Sequence, residues 1–253
     1  VRFDENRALS FCPRQGENGR MTTPPPAPPS KTQWAAELPR MIGTIASIPK
    51  AWPELMKAPP GDGRPIMLLP GLVNSDRSNI VMKRYLTALG YHVEGWKLGR
   101  NTGARTIGGE GEKLLARLRH YHDDAGEPVT LIGVSLGGII ARFAAHREPK
   151  LVREVITVSS PFAGDPRATN VWRAFEWLSG EKIDSPAVMA RRDEIAAPLP
   201  VPATAIWSAS DGLVNGAICH DDHARSIEIV SSHMGVQMHP ATLHAVAEVL
   251  GGN

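Results

Sequence analysis

The chain has 253 residues, 42% of them hydrophobic, and a net charge of +2 with no block of like charge. That length buries a substantial core without disulfides or metals, and the charge asks for neither nucleic acid nor an acidic partner. The two cysteines, Cys12 and Cys219, imply no disulfide framework. No apolar run is long enough to span a bilayer, and the N-terminal stretch lacks the apolar centre of a signal peptide; the expectation is a soluble, cytoplasmic protein.

Residues 1–33 read as a disordered proline-rich tail. "TTPPPAPPSK" favours extended polyproline and nucleates neither helix nor sheet, and Met21 is a candidate natural start. Residues 34–253 read as one domain. It opens with an N-terminal helical extension, 34–64, in which Trp34, Leu38, Met41, Ile42, Ile45 and Ile48 recur at helical spacing. Pro39 and Pro49 interrupt the pattern, which predicts one or two short helices. These either pack on the domain or form an amphipathic surface that touches lipid or covers a site.

From Pro65 onward strands and helices alternate. "PIMLLPG" is a first strand, "RSNIVMKRYLTAL" a helix stopped by Gly90, and "YHVEGW" a second strand. A helix follows with Leu114, Leu115, Leu118 and Tyr121 on one face. "PVTLIGV", "VREVITVSSP", "PATAIWSASD" and "RSIEIVSSH" are four further strands, and "HPATLHAVAEVLGG" is a closing helix. Between the fourth and fifth strands, "RATNVWRAFEWLSG" is helical, with Val171, Trp172, Phe175 and Leu178 as an apolar stripe. That stripe is either core or, through Trp172, Phe175 and Trp177, the lining of an acyl pocket. Residues 161–200 are enough for a small lid and not for a large cap domain. Strands separated by helices predict an α/β fold: a mostly parallel sheet of about six strands with helices on both faces.

"GVSLG", Gly133 to Gly137, matches G-x-S-x-G. By composition alone such a match arises in about one chain in ten of this length, so its context decides. "VTLI" precedes it and "GIIARFAAH" follows, the strand–turn–helix setting that gives the motif meaning. A sharp turn lifts the serine hydroxyl out of the sheet, and only small residues fit beside it. A helix beginning at Leu136 offers unpaired backbone N–H groups to a developing oxyanion. A serine nucleophile also needs a histidine to take its proton and an acid to orient that histidine. Asp211 lies just past the fifth strand and His233 just past the sixth, in the order serine, acid, histidine. Catalytic groups in open α/β sheets gather beyond these strand ends. "LLPGLVNSD" offers a second oxyanion donor, the N–H of Leu72 after Gly71.

The stretches "MLLPGL", "GYHVEGWKLGRNTG", "LIGVSLGGIIARFAA", "VREVITVSSPF", "WSASDGLV" and "SSHMG" together resemble the α/β-hydrolase superfamily, in particular small bacterial lipases and esterases of the triacylglycerol-lipase kind. The resemblance covers roughly residues 65–250. It implies a single-domain α/β-hydrolase fold, with Ser135 as nucleophile, Asp211 as acid, His233 as base, and Leu72 and Leu136 as backbone oxyanion donors. It implies carboxylic ester hydrolysis on a small-molecule or lipid ester, with no cofactor and no metal. Thioesterase and acyltransferase chemistry share the same triad, and a non-catalytic binding protein shares the fold. Two departures stand out: helical sequence replaces the usual antiparallel strands before "PIMLLPG", and the loop reads "LPGL" where many lipases carry His-Gly.

Rivals exist for two of the roles. Asp165 in "SSPFAGDP" competes with Asp211, and His239, His220 and His223 compete with His233. "CHDDH" resembles a metal cluster but has no partner motif at ligand spacing, so it reads as a polar loop. The glycines of "KLGRNTGARTIGGEG" fit neither a dinucleotide fingerprint nor a P-loop.

Overall fold

A computed structural model describes residues 26–252; Cys12, Met21 and the N-terminal part of the proline-rich tail lie outside the described residues. The strands are β1 (Pro65–Leu69), β2 (His92–Gly95), β3 (Val129–Val134), β4 (Val152–Val158), β5 (Ala203–Trp207) and β6 (Arg225–Glu228). They form a six-stranded sheet in the order β2-β1-β3-β4-β5-β6, with every pairing parallel. The chain steps from β1 outward to β2, then reverses and walks from β3 to β6. The reversal makes β1 and β3 neighbours, so the loops leaving their carboxyl ends meet at a topological switch point.

Eight helices accompany the sheet among the described residues: α1 (Lys31–Leu55), α2 (Ile80–Leu89), α3 (Ala104–Ile107), α4 (Glu112–Ala125), α5 (Leu136–Arg147), α6 (Trp172–Ser179), α7 (Pro186–Ala196) and α8 (Pro240–Leu250). The period-two alternation of the central strands feeds two cores. Ile66, Leu68, Ile132 and Val134 face one side, where Leu55 of α1, Met82 and Leu86 of α2, and Leu243 and Val246 of α8 cover them. Met67, Leu69, Val129 and Leu131 face the other side, under Leu114 and Leu118 of α4 and Ile140 and Phe143 of α5. Burial on both faces explains why β1 and β3 are buried at every position and read as near-continuous apolar runs, with Thr130 the one polar residue among them. Each fully buried aliphatic side chain contributes about 1.5–3 kcal/mol. Gly90 ends α2 in the left-handed conformation, as its position after the apolar stripe predicts.

The N-terminal extension differs from the sequence expectation in three ways. In place of one or two short helices there is one continuous helix of 25 residues, with Pro39, Pro49 and Pro53 inside it. A proline removes the bond to the carbonyl four residues earlier. Here those carbonyls belong to Ala35, Ile45 and Pro49, all exposed residues, so solvent can satisfy them and the helix continues. The helix also starts at Lys31, not at the expected boundary of residue 34. Ser30 and Gln33 close a capping box: the Gln33 N–H donates to Ser30 Oγ and the Ser30 N–H to Gln33 Oε1. The residues just before it lie on the domain, because Asn170 and Asn215 donate from Nδ2 to the carbonyls of Pro29 and Ala27. Finally, the apolar stripe does not face the core. Trp34, Leu38, Ile42 and Ile45 are exposed, while Glu37, Thr44 and Leu55 are the buried positions of the helix.

Candidate active site

Ser135 sits at the joint of β3 and α5 with φ 52° and ψ −122°. A non-glycine residue occupies that region only when its surroundings enforce it, and here close packing does so. A Cβ on Gly133 would overlap the Gly137 carbonyl, and one on Gly137 would overlap the Leu69 carbonyl of β1. A Cβ on Gly138 would overlap the Ser160 side chain after β4. The Ser135 N–H donates to the Val158 carbonyl at 2.8 Å, and its own carbonyl accepts from the Gly138 N–H at 3.0 Å. The elbow is wedged between β1 and β4 and has no room to relax.

Asp211 and His233, each just past its strand, converge on Ser135. His233 Nε2 lies 3.1 Å from Ser135 Oγ, and His233 Nδ1 lies 2.7 Å from Asp211 Oδ2. The other Asp211 oxygen accepts from the N–H groups of Leu213 and Val214, both at 2.8 Å, which fixes the carboxylate edge presented to the imidazole. Asp211 is buried. Burial works to lower the pKa of His233. The charge of Asp211, its hydrogen bond to Nδ1 and the charge of Glu37 outweigh burial, so the net direction is upward.

Glu37 is the residue that the sequence did not single out. It is 1% exposed, yet it lies in α1, far along the chain from either loop. Its Oε1 accepts from the N–H groups of Gly212 (2.7 Å) and His233 (3.0 Å), and its Oε2 from the N–H of Met234 (2.7 Å). Arg40, one turn on, donates to the carbonyl and the hydroxyl of Ser210. Nothing in the sequence marked it, because α1 also carries Lys31, Arg40, Lys50 and Glu54, and helical periodicity counts all of these as surface.

The loop after β1 passes over the elbow. A Cβ built on Gly71 would lie 3.3 Å from Ser135 Cβ and from the Val134 carbonyl, so only glycine allows the approach without displacement. Asn101, fully buried, shapes this loop. Its Nδ2 donates to the Pro70 carbonyl at 2.7 Å, and its backbone carbonyl accepts from the Val73 N–H at 2.8 Å. Leu72 and Leu136 both border the cavity beside Ser135.

That cavity is lined almost wholly by apolar groups, including Ile139, Phe143, Phe162, Trp172, Phe175 and Val214. The stripe on α6 therefore serves the cavity: Trp172 and Phe175 line it, and Trp177 points away, 80% exposed. Residues 161–200 fold as two short helices over it, with Ile183, Val188 and Ile195 on the lining side. Arg142 of α5 ties this roof down. It is buried, lies over the Phe162 ring at 3.9 Å, and donates to the carbonyls of Ile195 and Ala197 at 2.7 Å each. Burial pushes its guanidinium down to about 10, still cationic at neutral pH.

The rival residues have other partners. Asp165 caps a 3-10 turn by accepting from the Arg167 N–H, and His239 caps α8 by accepting from the Ala241 N–H. His220 stacks on Trp207 with ring centroids 4.4 Å apart, and Asp221 accepts from the His223 N–H. Among the described residues no group of three or more His, Cys, Asp or Glu side chains is arranged to hold a metal ion, and no helix is long and apolar enough to cross a membrane.

No protein-family model and no curated protein matches the chain. Solved structures do match. A Bacillus licheniformis lipase, BlEst2, is similar with a TM-score of 0.57 at 17% identity, over 76% of this chain and 94% of the other. Lipase B of Aspergillus fumigatus is similar with a TM-score of 0.58 at 18% identity, over 75% and 53%. The thioesterase domain from the curacin biosynthetic pathway is similar with a TM-score of 0.52 at 14% identity, over 75% and 91%. At these identities the likeness is one of architecture: the parallel sheet, its flanking helices and the strand-end loops give this chain the α/β-hydrolase fold.

Proposed function

We propose that the protein is a serine hydrolase of carboxylic esters. Ser135 Oγ attacks the acyl carbon while His233 Nε2 takes its proton. Asp211 holds the imidazole in the productive tautomer and stabilises the imidazolium. The backbone N–H groups of Leu72 and Leu136 receive the oxyanion. Collapse of the tetrahedral intermediate expels the alcohol, protonated by His233, and leaves an acyl group on Ser135. Water activated by His233 then releases the acid. No cofactor or metal enters the scheme. The observation that carries the reading is the unbroken relay from Asp211 Oδ2 through His233 to Ser135 Oγ, at 2.7 and 3.1 Å. The apolar cavity beside Ser135 supports an acyl group as the recognised part of the substrate.

A thioester is the second reading. The lining recognises an acyl chain and says little of the leaving atom, and a thioesterase domain is among the proteins of similar fold. One set of measurements separates the alternatives. A fluorophosphonate probe is expected to label Ser135 and to fail on Ser135→Ala; a folded protein that takes no label is a binding protein on this fold. A chain-length series of p-nitrophenyl esters, beside acyl thioesters and a triglyceride emulsion, ranks the substrates. A rate jump at the oil–water interface identifies a lipase, and the exposed stripe of Trp34, Leu38, Ile42 and Ile45 is the surface to alter next.

A further inference from the structure

The hydrogen-bond partners of Glu37 are unusual in where they lie. A buried carboxylate costs several kcal/mol unless it is paired or fully hydrogen-bonded. Glu37 is satisfied by three backbone N–H groups, and none of them belongs to its own helix. One comes from Gly212, next to the acid. Two come from His233 itself and from Met234. A single side chain therefore bridges the loop after β5 to the loop after β6. Arg40 adds a second tie on the other side of the acid, at Ser210, so both neighbours of Asp211 are fastened to α1. The fit at Gly212 is close: a Cβ there would lie 2.5 Å from the Gln33 carbonyl and 2.8 Å from Glu37 Oε1.

The His233 loop needs such a brace. It follows β6, an edge strand of four residues of which three are exposed. Val230, between that strand and the histidine, is 76% exposed. The strand itself therefore does little to anchor the loop; the buried Ser231, tied to Ser208 and Ser210, holds its start, and Glu37 holds it at the histidine. Glu37 supplies a fixed anchor at the histidine's own backbone and places a negative charge beside the imidazolium that forms during the reaction.

We propose that Glu37 is a positioning residue for the Asp211–His233 pair, and that α1 is thereby a working part of the catalytic apparatus. The proposal rests on the ester-hydrolase reading for its kinetic consequence but not for its structural one. Glu37 does not line the acyl cavity, so its loss acts on kcat and leaves KM nearly unchanged. Charged-carboxylate hydrogen bonds to N–H groups are about twice as strong as neutral ones. Misplacement of a catalytic group by about 1 Å costs on the order of 100-fold.

The test uses Glu37→Ala and Glu37→Gln in the full chain. Glutamine keeps an acceptor for Gly212 and His233, loses the charge, and turns a donor toward the Met234 N–H. Turnover of a p-nitrophenyl ester is measured per active site, with sites counted by fluorophosphonate titration, so a misfolded fraction does not enter. The expected result is about a 100-fold loss of kcat in the alanine variant and a smaller loss in the glutamine variant, with KM within about twofold. The His233 pKa, followed by NMR titration of the imidazole, is expected to fall in both. If the alanine variant fails to fold, the glutamine variant carries the test. Unchanged per-site turnover with an unchanged His233 pKa overturns the proposal. A wild-type protein that neither labels nor hydrolyses overturns the ester-hydrolase reading instead, and the NMR titration still decides whether Glu37 acts on His233.

Discussion

Ser135 and His233 face each other across 3.1 Å but are held by opposite means. Ser135 follows β3, a central strand buried at every position, and its strained backbone is enforced by glycines and carbonyls packed around it. His233 follows β6, a short and mostly exposed edge strand, and its loop is fastened by Glu37 from a helix at the other end of the chain. One half of the site is therefore built by local sequence on a rigid core. The other is assembled by a long-range tie. Strain at the elbow is sustained because the core around it has nowhere to move. The His233 loop lies between the buried Ile229 and Val236 and is tied at Ser231 to Ser208 and Ser210, and Glu37 adds charge-assisted hydrogen bonds at the backbone of His233 itself.

The comparison can be broken first at the acid. Asp211→Asn leaves the elbow untouched and favours the wrong imidazole tautomer, with an expected loss of roughly 10⁴-fold in kcat. Ester hydrolysis per titrated site measures it, and a loss below tenfold would mean that another group orients His233. Gly137→Ala attacks the other half. Its Cβ would meet the Leu69 carbonyl, and overpacking of this kind costs about 1–3 kcal/mol. Urea unfolding reads this cost; an unmoved midpoint would show that the elbow is not held by close packing.

A pH profile is the next, smaller effect. In the proposed mechanism His233 must be neutral to accept the proton of Ser135, and its pKa is raised above the ordinary 6.5. The expected kcat/KM falls about tenfold per pH unit below that pKa, and an inflection below 6.5 would contradict the geometry. The linked stability runs the other way. The pairing of protonated His233 with Asp211 and Glu37 stabilises the fold fully below pH 6.5 and is lost as pH rises through the raised value. The smallest effect sharpens the role of α1. Ile42 lies on the outer face of that helix, 59% exposed. Ile42→Ser is expected to change stability by no more than about 0.5 kcal/mol and to leave ester turnover in solution unchanged. A larger effect, by thermal melt or by rate, would show that the brace depends on both faces of the helix.

How much of this was legible follows the same division. The β3–Ser135–α5 unit is contiguous, and its small residues sit where the chain must pass closest, so the elbow is written in eighteen consecutive residues, Val129 to His146. The positions of Asp211 and His233 past β5 and β6 were legible because each comes a few residues after a strand pattern. The α6 stripe was ambiguous, since Trp172 and Phe175 have the same spacing whether they fill a core or line a cavity. The extension before β1 was read as helical, with its stripe either packed on the domain or left as an amphipathic surface. Periodicity alone does not choose between those faces, and the prolines shortened the expected helices; the folded helix is continuous and turns Trp34, Leu38, Ile42 and Ile45 outward.

The sequence by itself determined the alternation of strands and helices, the parallel sheet, and the serine, acid and histidine in order at three strand ends. These depend on side-chain periodicity and on steric rules that act within a few residues. Only the tertiary structure decided that β1 and β3 are neighbours, that residues 161–200 roof the cavity, and that Glu37 binds the Asp211 and His233 loops together. Those outcomes depend on contacts far apart in the chain, and the last on which backbone amides meet one side chain across 175 or more residues. A lone glutamate carries no local mark of the three N–H groups that will surround it.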